Sequence, residues 1–84
     1  MYNKLYVLIS RAREACAGCS VEDKEKLRQL TKTALQYAVF IGAEKSIQDR
    51  LIKAYELIVK IEEYGDRLEP DNILCDILNE MSKQ

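Results

Sequence analysis

Wound at 100° per residue, the segment Ser46 to Tyr64 carries apolar side chains around roughly two thirds of its circumference, where a single contact face needs only one stripe. A helix so broadly apolar requires neighbours on several sides. In a chain of 84 residues those neighbours must be other short helices, and any apolar surface they fail to cover is available to a partner.

Periodicity and punctuation place four helices, at about 2–17, 21–41, 47–64 and 70–82. The first has a stripe of Leu5, Leu8, Ile9, Ala12, Ala15 and Cys16, with Gly18 as its stop. Ser20 and Asp23 form an N-cap and a capping-box-like pair that opens the second helix, whose main stripe is Leu27, Leu30, Ala34, Tyr37, Ala38 and Ile41. Leu35 and Val39 make a second stripe on that helix, and Phe40 points away from both. Gly42 closes it. Ser46 and Asp49 repeat the cap pattern before the third helix, which buries Ile47, Leu51, Ala54, Ile58 and Ile61. Ile52, Tyr55 and Val59 widen that face on one flank, and Leu57 and Tyr64 on the other. Gly65 ends the third helix, Leu68 is expected to dock on the core, and Pro70 suits the first position of a fourth helix carrying Ile73, Leu74, Ile77, Leu78 and Met81. No strand-like alternation and no internal repeat interrupts this pattern. The expected fold is all-α, a small antiparallel bundle of four helices forming one domain over residues 1–84.

The net charge of -1 conceals an asymmetry: residues 1–42 hold seven basic and four acidic side chains, residues 43–84 six and ten. In an antiparallel bundle the two halves lie side by side, so the difference is expected to become mainly intramolecular pairing. A sequence pI of about 5.4 does not suit an extended nucleic-acid footprint, which calls for a clustered basic face. The longest uncharged stretch, beginning at Thr33, is about half the ~20 residues of a membrane span, and the N-terminus lacks the apolar block of a secretory signal. These features read as a cytoplasmic protein with no membrane partner.

Chemistry has few candidates. Cys16 and Cys19 are spaced as Cys-x-x-Cys, but they sit at a helix C-terminus, where the dipole opposes the thiolate that a redox pair needs. With Cys75 the chain offers three thiols and no histidine, short of a four-ligand zinc site, so no metal and no cofactor is expected. The absence of histidine also removes the commonest general acid-base, and Glu62 and Glu63, being adjacent, point in different directions on a helix. Neither a P-loop nor a dinucleotide fingerprint is present, and the chain is not read as an enzyme.

Set against what two flanking helices can cover, Leu35, Val39, Phe40, Ile52, Tyr55 and Val59 are left over, and these six are the expected interface. Each large apolar side chain left in water forgoes roughly 1.5–3 kcal/mol, a sizeable part of the ~5–15 kcal/mol by which a domain is stable. The expected function is therefore a non-catalytic protein-binding module, a small regulator or inhibitor whose partner is another protein, with a homodimer as the other arrangement that covers the surplus. Nucleic acid is the alternative partner. Ala38-x-x-x-Gly42 with Tyr37, Ile41 and Leu51 resembles part of a helix-turn-helix pattern, which would imply a small DNA-binding transcriptional regulator; Gln48 departs from it at a position the motif keeps apolar.

Overall fold

The computed structural model describes residues 3–18 and 24–83, which form four α-helices: α1 (Asn3–Gly18), α2 (Lys24–Phe40), α3 (Lys45–Val59) and α4 (Leu68–Ser82). A 3-10 turn, Tyr64–Arg67, leads straight into α4. There is no strand among the described residues. Packing runs around a ring, α1 on α2, α2 on α3, α3 on α4 and α4 back on α1, which puts α2 diagonally opposite α4. Four residues link α2 to α3, and such a short link forces antiparallel neighbours. The result is the expected small antiparallel four-helix bundle, measuring 34 × 22 × 18 Å.

Each helix turns one line of side chains to the axis at spacings of three and four. Leu5, Ile9, Ala12 and Cys16 come from α1, Leu27, Thr31, Ala34 and Ala38 from α2, and Ile47, Leu51, Ala54 and Ile58 from α3. Pro70, Leu74, Ile77, Leu78 and Met81 come from α4. Alanines recur on three of these lines, which lets the helices approach closely. Thr31 is the polar member; its hydroxyl donates to the Leu27 carbonyl at 2.9 Å, so its burial leaves no orphan donor. Tyr37 and Ile41, placed in the main stripe by period alone, are partly buried beside the core. A second, smaller cluster of Cys16, Leu27, Ile58 and Ile61 fills the end where α1 and α3 finish and α2 begins.

Gly42 closes α2 as expected. At φ +67° it is left-handed, and the turn satisfies two end carbonyls: Ala43 N–H donates to Ala38 at 3.0 Å and Gly42 N–H to Val39 at 3.2 Å, the paired bonds of a Schellman cap. α1 runs through Gly18, while the proposed Ser20–Asp23 cap, Val21 and Cys19 lie outside the described residues.

Other expectations are corrected. Ser46 does not cap α3; the helix begins at Lys45, and the backbone carbonyl of Glu44 receives the first N–H groups, from Ile47 at 3.0 Å and Gln48 at 3.1 Å. α3 does not run to Tyr64 but ends at Val59, with Lys60 as its C-cap. The cause is a competing cap downstream: the Asp66 carboxylate accepts from the backbone N–H groups of Glu62 and Glu63, both at 3.0 Å, in a Glu63–Asp66 capping box that starts the 3-10 turn. Gly65 therefore sits inside that turn and ends nothing. α4 consequently starts two residues before Pro70, which occupies the third position of its first turn, where a missing N–H still costs no helical bond. The same shift corrects Leu68. As the first residue of α4 it lies about 140° around the helix from the buried line, and it is 68% exposed, not docked.

Candidate interaction surface

The six residues expected at an interface all lie on α2 and α3, and the bundle treats them unequally. Val39 is 57% exposed, Phe40 87%, Ile52 41% and Val59 42%, whereas Leu35 and Tyr55 are half-buried, Leu35 against the main core. Their positions follow from helical phase. On α2, Leu35 and Val39 stand about 100° to one side of the buried line, in the same row as Arg28. On α3, Ile52, Tyr55 and Val59 stand about 100° to one side of Ile47–Ile58, on the flank away from Arg50, which reaches α4 through its ion pair with Glu80 at 2.5 Å.

Those two flanks meet along the outer seam of the α2–α3 hairpin. Arg28 of α2 and Tyr55 of α3 lie near each other across it. Val59, the last residue of α3, lines an open concavity of about 400 Å³ with Lys24, Glu25 and Arg28 from the first turn and a half of α2. Helical phase thus sets Leu35, Val39, Ile52, Tyr55 and Val59 along the length of this seam, with Val39 and Val59 at its opposite ends. Phe40 stands apart, about 100° farther round α2 than Val39, facing solvent. Sequence reasoning missed three further exposed apolar side chains: Tyr6 at 39% and Val7 at 46% on α1, and Leu68. Tyr6 and Val7 lie outside the stripe read for the first helix, and that exclusion was the available signal.

Electrostatics at the seam are local. The Arg28 guanidinium holds both Glu25 oxygens, at 2.5 and 2.6 Å, and Gln29 adds a bond at 3.2 Å. These bonds, Arg28's first, hold the Glu25 carboxyl below its ordinary value, and the Glu25 bond raises Arg28. Lys24 extends from α2 to the Ile61 carbonyl at 2.5 Å, tying the start of α2 to the exit of α3. Asp66 is likewise held low, by the N–H bonds of Glu63 and then Glu62. All three shifts belong to groups that cap or pair on the surface. The expected pairing between the halves of the chain is seen at Arg13 and Asp71, 3.6 Å apart across α1 and α4, while Arg28–Glu25 and Arg50–Glu80 each lie within one half.

The cysteines are separated. Cys16 is buried, with its sulfur 3.4 Å from the Arg67 carbonyl oxygen, Cys75 is half-buried, and Cys19 lies outside the described residues. No group of three or more Cys, Asp or Glu side chains that could hold a metal ion occurs among the described residues, and no helix among them is long and apolar enough to cross a membrane. The helix-turn-helix resemblance does not extend to geometry. Val59 beside Lys24 means that α3 runs back along the whole of α2, whereas the motif crosses its helices at ~90–120°. Gln48, where the pattern departs, donates to the Ala43 carbonyl at 2.6 Å and fastens the interhelix turn. No protein-family model matches the chain, and neither a curated protein nor a solved structure has significant similarity to it.

Proposed function

We propose that this protein is a non-catalytic protein-binding module, a small regulator or inhibitor of another macromolecule, that works through the outer seam of α2 and α3. The observation that carries this reading is the exposure of Val39, Ile52 and Val59, at 41–57%, on neighbouring helices while the inward lines beside them are fully buried. Each forgoes part of the roughly 1.5–3 kcal/mol available from burial, and a contiguous row of such groups is better explained by use than by chance. Cytoplasmic residence belongs to the same proposal, in keeping with the free thiol of Cys75.

The test is capture from the native cell with the wild type and with an Ile52→Glu, Val59→Glu double variant, beside light scattering of both. The expected outcome is a specific protein, or a second copy, engaged by the wild type and lost by a variant that keeps its helicity. A wild type that is monomeric at high concentration and retrieves nothing specific refutes the reading. A shift of duplex DNA at low salt, abolished by neutralising Lys45 and Arg50, would instead make the protein a DNA-binding regulator.

A further inference from the structure

We draw no further inference here: the strongest candidate, the exposed apolar patch along the outer seam of α2 and α3, carries nothing because the charges on its edge are mixed, Lys32 and Lys45 with Asp49 and Glu56, and nothing in the structure shows what covers it.

Discussion

Replacing Gly42 by alanine should destabilise the bundle, and the structure fixes the reason to the backbone alone. A Cβ built at Gly42 meets nothing within 4 Å, so no steric clash with the rest of the molecule contributes. What remains is the left-handed conformation, φ +67°, which costs an L-residue roughly 1–2 kcal/mol. Alanine also restricts the unfolded chain, which returns a few tenths to about 1 kcal/mol. The net expectation is a loss of about 1 kcal/mol, and at ~4–8 °C per kcal/mol for a chain of this size, a fall in Tm of several degrees. Gly42→Asn should lose less, because asparagine tolerates this conformation better. Gly65 supplies the internal control: a Cβ there also meets nothing within 4 Å, but its φ is not left-handed, so Gly65→Ala should be neutral or stabilising by up to about 1 kcal/mol. Thermal and urea unfolding followed by circular dichroism measures all three. If Gly42→Ala matches the wild type, or if Gly65→Ala is the more damaging, the Schellman cap is not what ends α2.

Burial makes a second contrast. Leu51→Ala, at a fully buried position, should cost about 2–5 kcal/mol, whereas Phe40→Ala, at 87% exposure, should stay within about 0.5 kcal/mol despite removing the larger side chain; equal costs in denaturant titration would contradict the packing described. Asp66 is held below the ordinary carboxyl value by the Glu63 and Glu62 amides, so its contribution is complete above the unfolded value of about 4 and fades as pH falls through the folded value. The Tm difference between the wild type and Asp66→Ala should therefore be full near neutrality and shrink in acid, and a gap independent of pH would refute the capping box. In the native protein Cys75, half-buried, should alkylate with iodoacetamide well before Cys16, which is buried and hydrogen-bonded to the Arg67 carbonyl. Peptide mass mapping over time distinguishes the order, and faster labelling of Cys16 would contradict its burial.

Much of the candidate surface could be read before any coordinates. Period alone separates Ile52, Tyr55 and Val59 from the buried line of α3, and Leu35 and Val39 from that of α2, because each residue advances a helix by a fixed angle. Period also set Phe40 apart from both stripes of α2, but it could not say that Leu35 and Tyr55 would be half covered, since coverage depends on how near the adjoining helix lies. Nor could it stop α3 at Val59. Ile61 fits the α3 stripe and is buried either way, so the apolar pattern is blind to the change of direction. The informative residues were Glu63 and Asp66, a capping box hidden inside what reads as the polar face of a continuing helix.

The chain by itself determined four helices, their inward lines and the Gly42 stop, because helical phase and backbone conformation are properties of a few consecutive residues. Tertiary structure decided the rest. Starting α4 at Leu68 turned that side chain outward, and closing the helices into a ring set basic α2 diagonally across from acidic α4. Exposure and the facing of charges are relations between distant segments, and no local pattern carries them until the bundle has closed.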